Sequence, residues 1–233
     1  MQPALAPSIN AAAARVLDRV GISLVEVPEA GCCGALRFHL NRQEAGRDDM
    51  RALIDAWWPL VESGSVEAIV MTASGCGVTV REYGHLLRED PRYRAKAERI
   101  SSLTRDLCEV LDPQLLPVLQ GAGRVAFQSP CSLQHGQQVR GKVEALLARA
   151  GFELSGVDDA HLCCGSAGTY SLLQVELSAE LRARKLAALQ EGSPARIATA
   201  NIGCMAHLQA GTATPVLHWV ELLDEALQRR MAA

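Results

Sequence analysis

Aromatic residues are scarce in this 233-residue chain, which contains three Phe, three Trp and three Tyr. The hydrophobic fraction of 48% therefore comes mainly from Ala, Leu and Val. This composition is rich enough in apolar residues for a globular core and too apolar for a disordered chain. A chain of this length is expected to form one or two domains.

An excess of basic charge is also absent, because 23 Lys and Arg residues face 26 Asp and Glu residues, for a formal net charge of −3. Binding to nucleic-acid phosphates requires clustered cationic side chains, so this charge balance argues against a nucleic-acid partner. No stretch contains the roughly 18 uncharged apolar residues that a membrane-spanning helix needs. The N-terminal segment lacks a basic start, and Asn10 and Arg15 interrupt its apolar run. We therefore expect no secretory signal, a cytoplasmic location and at most peripheral membrane contact.

Cysteine, in contrast, is abundant, with eight residues in the chain. In a reducing compartment, cysteines more often serve as metal ligands, redox groups or buried packing residues than as disulfides. A chain of this length can also build its core without disulfides. The cysteines are Cys32, Cys33, Cys76, Cys108, Cys131, Cys163, Cys164 and Cys204.

The cysteine positions reveal an internal repeat. An adjacent pair followed by Gly occurs twice, once in each half of the chain. A later single cysteine, preceded by Gly, also occurs twice. The number of residues between these two single cysteines is nearly the same as the number between the two adjacent pairs. An internal duplication explains these parallels better than coincidence in a chain rich in Ala and Leu. The matching segments are Cys32-Cys33-Gly34 with Cys163-Cys164-Gly165, and Gly75-Cys76 with Gly203-Cys204.

Both repeats are predicted to contain the same order of elements: a helix, a short strand, the Cys-Cys-Gly loop, a longer helix and a strand that ends at Gly-Cys. This alternation predicts an α/β fold of two pseudo-symmetric repeats with mostly parallel sheets. The first repeat would occupy residues 1–120, including a helical connection at 83–110, and the second would occupy residues 121–233. The predicted helices are 9–20, 48–63, 137–150, 172–190 and 221–228, and the predicted strands are 22–27, 68–72, 121–127, 152–157, 196–200 and 215–220.

The second repeat contains four candidate ligands for one metal centre, Cys131, Cys163, Cys164 and Cys204. Four thiolates are sufficient for a zinc site or an iron–sulfur cluster. Zinc sites usually use Cys-x-x-Cys spacing, whereas adjacent cysteines tend to point apart and can each bind a different iron of a cluster. An iron–sulfur cluster is therefore favoured, with zinc and a redox-active vicinal disulfide as alternatives. His207, three residues after Cys204, is either a further ligand or a loop residue.

The first repeat offers only three candidate ligands, Cys32, Cys33 and Cys76. When the offset between the two repeats is applied to Cys131, the corresponding position in the first repeat is Met1. We therefore expect the first site to be incomplete, and we expect this chain to be the C-terminal part of a longer subunit.

Two further residues are predicted to have supporting roles. Cys108 lies in a helical pattern without a cysteine nearby, which indicates a buried structural thiol. His135 follows Cys131 by four residues, and it could either donate a hydrogen bond to a cluster sulfur or pack at the start of a helix.

The doubled Cys-Cys-Gly pattern resembles the CCG-domain proteins, which include heterodisulfide reductase B subunits, lactate utilisation protein A and glycolate oxidase iron–sulfur subunits. The resemblance extends across the whole chain and is greatest for the last of these groups. The segments that carry it are 10–17, 30–36, 130–137, 163–168 and 216–223.

The resemblance implies an iron–sulfur electron-transfer subunit of a 2-hydroxy-acid oxidase, with a 4Fe-4S type cluster in the second repeat. A separate flavoprotein subunit would oxidise glycolate to glyoxylate, and the electrons would pass towards a quinone-type acceptor. Two features depart from the pattern. The chain lacks the cysteine runs of a ferredoxin-like part, and Thr79 and His207 stand where heterodisulfide reductases end in Cys-x-x-Cys. A zinc-stabilised docking scaffold and a heterodisulfide-reductase-like thiol-redox subunit are the alternative functions.

Overall fold

The computed structural model describes residues 2–117 and 119–232. The strands are β1 (Ile69–Met71), β2 (Thr104–Asp106), β3 (Arg124–Gln128), β4 (Glu153–Ser155), β5 (Arg196–Thr199) and β6 (Val216–His218). The α-helices are α1 (Gln2–Leu5), α2 (Pro7–Arg19), α3 (Ala35–His39), α4 (Gln43–Glu62), α5 (Ser74–Arg81), α6 (Tyr83–Leu86), α7 (Arg94–Leu103), α8 (Leu107–Val110), α9 (Lys142–Arg149), α10 (Tyr170–Leu173), α11 (Val175–Gln190), α12 (Ile202–Gln209) and α13 (Trp219–Ala232). A 3₁₀ helix covers Pro113–Leu115, and a π-helical turn covers Ser132–Gly136.

The strands form two parallel sheets, which confirms the predicted α/β class. One sheet pairs β1 with β2, and the other has the order β4-β3-β5-β6. In the larger sheet, Ala126 of β3 lies opposite Ser155 of β4 and Ile197 of β5. Because every pairing in the described residues is parallel, the carboxyl ends of neighbouring strands share one edge. The loops that follow β1, β3 and β5 therefore lie at such edges, as predicted for the cysteine segments.

The connection predicted to be helical at 83–110 contains the three helices α6, α7 and α8, but strand β2 lies between α7 and α8, and that strand was not predicted. The backbone N–H of Asp106 donates to Glu109 Oε2 at 2.8 Å, and the N–H of His218 donates to Glu221 Oε2 at 2.9 Å. The same turn thus follows β2 and β6, so β2 is the counterpart of β6. Three residues are too few to show a strand period, and β2 is stabilised by pairing with the distant β1.

The predicted strand 22–27 has no regular secondary structure and no strand partner in the part of the chain that the structure describes, so this prediction was also wrong. Its counterpart in the second repeat, β4, is a strand because it pairs with β3. Within the described residues, no strand lies beside 22–27. A strand needs a hydrogen-bonded neighbour, and without one Leu24 and Val25 stay 41% and 60% exposed.

Two predicted helices differ at their N-terminal ends. The helix predicted at 137–150 begins at Lys142, because Gln138 and Gly141 have φ values of 56° and 72°, which a right-handed helix excludes. The helix predicted at 172–190 divides at Gln174, whose φ of −127° and ψ of 60° break the helical path. Leu173 is 67% exposed, whereas Leu189 is fully buried, so only the second half of this helix buries its apolar face.

Helix α2 packs into the core of the larger sheet, although it belongs to the first predicted repeat. Ile9 of α2 shares one buried cluster with Val125 of β3 and Trp219 of α13. Cys108 lies in the same cluster and is fully buried, as predicted for a structural thiol. A second cluster fills the space between β1 and helices α4, α5 and α7.

The division of the chain between residues 120 and 121 stays a prediction. None of the helices in the described ranges is long and apolar enough to cross a membrane.

Candidate metal centre

The four candidate ligands of the second repeat lie together at the carboxyl edge of the larger sheet. Cys131 follows β3, Cys204 lies in the first turn of α12 after β5, and Cys163 and Cys164 lie in the loop between β4 and α10. Their thiols interact pairwise in the order Cys131, Cys163, Cys164, Cys204, and we refer to these four residues as the row of thiols. Cys164 and Cys204 are buried, whereas Cys131 and Cys163 are half-buried. The sequence-predicted residues are thus brought together, and their role as ligands stays a prediction.

Donors and acceptors alternate along this row of thiols. The thiol of Cys131 lowers the pKa of Cys163 by hydrogen bonding to it, and the thiol of Cys164 acts in the same direction. The backbone N–H of Gly165 also donates to Cys163 Sγ, at 3.3 Å. Cys164 likewise lowers the pKa of Cys204, whose Sγ lies 3.6 Å from Asn201 Nδ2. The row therefore favours the thiolate form, which is the form that binds metal, at Cys163 and Cys204.

The glycine of each Cys-Cys-Gly loop lies directly against a helix backbone. Gly165 has a φ of +90°, and a Cβ on it would lie 2.5 Å from the carbonyl oxygen of Ser178 in α11. Gly34 has a φ of +80°, and a Cβ on it would overlap the carbonyl oxygen of Gly46 in α4. Both loops thus need a residue without a side chain, which explains why Gly is the third residue of each Cys-Cys-Gly motif.

The predicted histidines lie beside the second loop and are engaged with protein atoms. His207 Nε2 lies 3.2 Å from Ser178 Oγ, and burial lowers the pKa of His207. The same ring nitrogen would lie 3.2 Å from a Cβ on Gly165, so His207 is next to the Cys-Cys-Gly loop. His135 Nε2 donates to the carbonyl oxygen of His161 at 3.1 Å, not to a cysteine sulfur. Whether His207 binds a metal stays a prediction.

Two side chains that the sequence analysis missed hold the loop before Cys163. Lys185 in α11 is buried, and its Nζ donates to the carbonyl oxygens of Asp159 and Ala160 at 2.9 and 3.1 Å. Gln134 Nε2 donates to the same carbonyl of Ala160 at 3.0 Å. The helical period could have identified Lys185 in the sequence, because Lys185 lies on the same buried face of α11 as Ser178, Leu186 and Leu189.

The first repeat brings together a smaller set of thiols. The thiol of Cys33 hydrogen-bonds to Cys76 and lowers its pKa, and Cys32 is exposed nearby. The hydroxyl of buried Tyr83 donates to the carbonyl oxygen of Cys33 at 2.9 Å and so holds the loop in place. The other described cysteines are Cys108, which lies in the other buried cluster, and the four of the second repeat.

The segments that carry Cys76 and Cys204 begin side by side. The backbone N–H of Ser74 donates to the carbonyl oxygen of Ala200 at 3.1 Å, and the N–H of Gly75 donates to Asn201 Oδ1 at 3.3 Å. The hydroxyls of Ser74 and Ser132 lie 2.8 Å apart. These contacts join the carboxyl edges of the two sheets, so the two cysteine sets belong to one face of the structure.

The donor set of the second repeat consists of four thiols with N–H donors beside two of them. In the described ranges, no group of three or more Cys, His, Asp or Glu side chains is arranged to hold one metal ion. The four thiols form a row, and N–H donors of Gly165 and Asn201 point at two of the sulfurs. Sulfur ligands with N–H donors are the environment in which proteins bind iron–sulfur clusters, so these residues fit such a group.

Two Cys-Cys-Gly loops, each followed by a helix and a strand that leads to a further cysteine, define a duplicated cysteine-rich α/β protein. The chain belongs to the CCG cysteine-rich domain family, whose model matches residues 1–81 and 125–209.

Relatives of known name share this sequence over most of its length. It is 51% identical to the glycolate oxidase iron-sulfur subunit of Escherichia coli (strain K12), over 98% of this chain and 56% of that protein. It is 31% identical to the probable glycolate oxidase iron-sulfur subunit of Bacillus subtilis (strain 168), over 87% of this chain and 46% of that protein. Lactate utilization protein A of Geobacillus kaustophilus is 28% identical, over 93% of this chain and 92% of that protein. The chain thus spans about half the length of the first two relatives.

Proposed function

We propose that this chain is an iron–sulfur, electron-transfer part of a glycolate oxidase complex. The observation that carries the proposal is the row of four thiols at the edge of the larger sheet. Two relatives are named as glycolate oxidase iron-sulfur subunits, and the one from Escherichia coli is 51% identical. In the proposed complex, a flavoprotein subunit oxidises the 2-hydroxy acid, and electrons pass through this chain towards a quinone-type acceptor. We place the complex in the cytoplasm, with at most peripheral contact to the membrane.

Cys131, Cys163, Cys164 and Cys204 would hold a cluster of the 4Fe-4S type. A bound cluster supplies one-electron storage at a potential that its ligands and surroundings determine. Burial of Cys164 and Cys204 keeps water from this part of the site. The N–H donors of Gly165 and Asn201 stabilise negative charge on the sulfurs of Cys163 and Cys204, and His207 is a candidate fifth ligand.

The first repeat would bind a cluster less completely. Cys32, Cys33 and Cys76 supply three thiols, whereas the second repeat supplies four. We propose that residues 1–120 and 121–233 are two halves of one electron-transfer unit, and that the complete site is in the second half. The contacts of Ser74 with Ala200 and Ser132 support a short path between the halves.

A zinc-stabilised scaffold is the alternative that the geometry favours less. Tetrahedral zinc requires four ligands at about 2.0–2.3 Å from one point. The described residues contain no group of three or more His, Cys, Asp or Glu side chains arranged to hold a single ion.

The test is anaerobic purification of the chain, followed by quantitation of iron, sulfide and zinc and by electron paramagnetic resonance. We expect iron and sulfide, with a signal that appears or disappears on reduction. Cys164→Ala is expected to lose the cofactor, and Cys108→Ala is the matched control, because both side chains are almost fully buried and the change is identical. Circular dichroism verifies that both variants fold. Stoichiometric zinc without iron would refute the cluster, and equal iron loss in the two variants would refute the ligand assignment.

A separate experiment tests the partner. The iron-loaded chain is mixed anaerobically with a glycolate-oxidising flavoprotein, and glycolate or D-lactate is added. Reduction of the cluster after addition of glycolate supports the assignment. If only D-lactate leads to reduction, the substrate of the complex is a 2-hydroxy acid other than glycolate.

A further inference from the structure

A single lysine is buried beside the row of thiols in the second repeat. Lys185 lies on the inner face of α11 and is 2% exposed. Burial lowers the pKa of Lys185, whereas the neighbouring Cys131, Cys164, Asp159 and Cys163 act in the opposite direction, so the amino group lies close to the row of thiols. Burial of a charge without compensation is costly, so a buried ammonium indicates negative charge close by.

The hydrogen bonds of Lys185 leave part of its capacity unused. The carbonyl oxygens of Asp159 and Ala160 accept two bonds, whereas an ammonium group has three N–H donors. Within the described ranges, Lys185 makes no third hydrogen bond and no ion pair with a carboxylate, although the exposed carboxylate of Asp159 also attracts it. The backbone carbonyls are neutral, so the groups that can balance the charge are the carboxylate of Asp159 and a thiolate of the site, the form favoured at Cys163.

The first repeat has no lysine at the corresponding place. The two repeats can be aligned on their Cys-Cys-Gly loops, and this alignment places Ile54 opposite Lys185. They can also be aligned on the helix residues that contact the two glycines, Gly46 and Ser178, and this alignment places Leu53 there. Ile54 and Leu53 are both buried. The repeat therefore folds with an apolar side chain here, and the buried charge is a property of the second site alone.

We propose that Lys185 is a positioning residue that supplies a fixed positive charge to the second-repeat centre and raises its reduction potential. This inference rests on the proposed cluster at Cys131, Cys163, Cys164 and Cys204. Reduction by one electron, taken from the flavoprotein, adds one negative charge beside the ammonium, and Lys185 neither gains nor loses a proton. In a buried site of low dielectric constant, a nearby cation stabilises the reduced form more than the oxidised form. The same ammonium holds the loop at Asp159 and Ala160 that leads to Cys163.

The experiment is a redox titration of the iron-loaded chain, followed by electron paramagnetic resonance, for the wild type and four variants. Lys185→Met removes the charge and the donors, Lys185→Gln removes the charge and keeps an N–H donor, and Lys185→Arg keeps the charge. Lys96→Met is the control, because Lys96 lies over the ring of Trp58, within the cluster of side chains around β1. We expect a lower reduction potential in Lys185→Met and Lys185→Gln, and a potential near that of the wild type in Lys185→Arg and Lys96→Met.

The outcomes separate this inference from the proposed function. A wild-type chain that binds no iron refutes the proposed function. Iron-loaded Lys185→Gln with an unchanged potential overturns the role of Lys185 and leaves the cluster assignment intact. If Lys185→Met fails to fold or to bind iron, the difference in reduction potential between Lys185→Gln and Lys185→Arg decides whether the charge of Lys185 raises the potential. An equal fall in potential in Lys185→Arg and Lys185→Gln would show that loop position, not charge, is what matters, and would also overturn the inference.

Discussion

The glycine of the second Cys-Cys-Gly loop is the position where one added methyl group has the most predictable effect. In Gly165→Ala, the new Cβ would lie 2.5 Å from Ser178 O, 3.1 Å from Leu181 Cβ and 3.2 Å from His207 Nε2. The residue would also keep a φ of +90°, which L side chains rarely adopt. The substitution therefore strains the backbone and pushes the loop away from α11 at the same time.

The two costs can be estimated separately. A left-handed conformation costs a residue with a Cβ about 1–2 kcal/mol. Inserting a methyl group into a packed site costs typically about 1–3 kcal/mol. Gly165→Ala is therefore expected to lower the free energy of unfolding by about 2–5 kcal/mol, against a total of about 5–15 kcal/mol for a typical protein. Because Cys163 and Cys164 precede this glycine directly, displacement of the loop is also expected to reduce the bound iron.

Two other glycines provide matched controls. Gly21 has a φ of +80° with nothing within 4 Å of a new Cβ, so Gly21→Ala carries the backbone cost alone. Gly156 has open space and no positive φ, so Gly156→Ala is expected to change the stability by less than about 0.5 kcal/mol. The assay is urea unfolding followed by circular dichroism, with iron content measured in parallel. A loss in Gly165→Ala that does not exceed the loss in Gly21→Ala would refute the steric argument.

Two further predictions concern buried polar groups. Burial lowers the pKa of His218 to about 3, below its unfolded value, so stability is full above pH ~6.5 and falls by about 1.4 kcal/mol per pH unit as the pH drops towards 3. Unfolding measured from pH 7 to 4.5 is expected to show a flatter profile for His218→Gln, and parallel profiles would contradict this. Arg15 donates to both carboxylate oxygens of Asp224, at 3.0 and 2.6 Å, and joins α2 to α13. Because the Arg15 side chain is 52% exposed, Arg15→Ala is expected to lower the free energy of unfolding in urea by only about 1 kcal/mol. Asp224→Ala should lower the free energy of unfolding by less when it is added to Arg15→Ala than when it is made in the wild type. Full additivity would show that the pair contributes nothing.

The strands that end at Gly-Cys could be predicted from the sequence, because an apolar run followed by Gly is a local pattern. The predicted strands 68–72 and 196–200 correspond to β1 and β5 within one or two residues. Strand β2 and the unpaired segment 22–27 could not be predicted in this way. Whether a short extended segment is a strand depends on a partner that lies far away along the chain.

Cysteine spacing and motif repetition are properties of the sequence by itself. They determined the duplication, the α/β class and the residues of the candidate site, because each depends on residue type and order alone. The tertiary structure decided that four thiols form one row, that Gly165 lies against a carbonyl of α11, and that Lys185 is buried beside the site. These features depend on contacts between segments that are tens of residues apart, such as α11 with the loops after β3 and β4. Only the packing of the chain brings those segments within a few ångströms of each other.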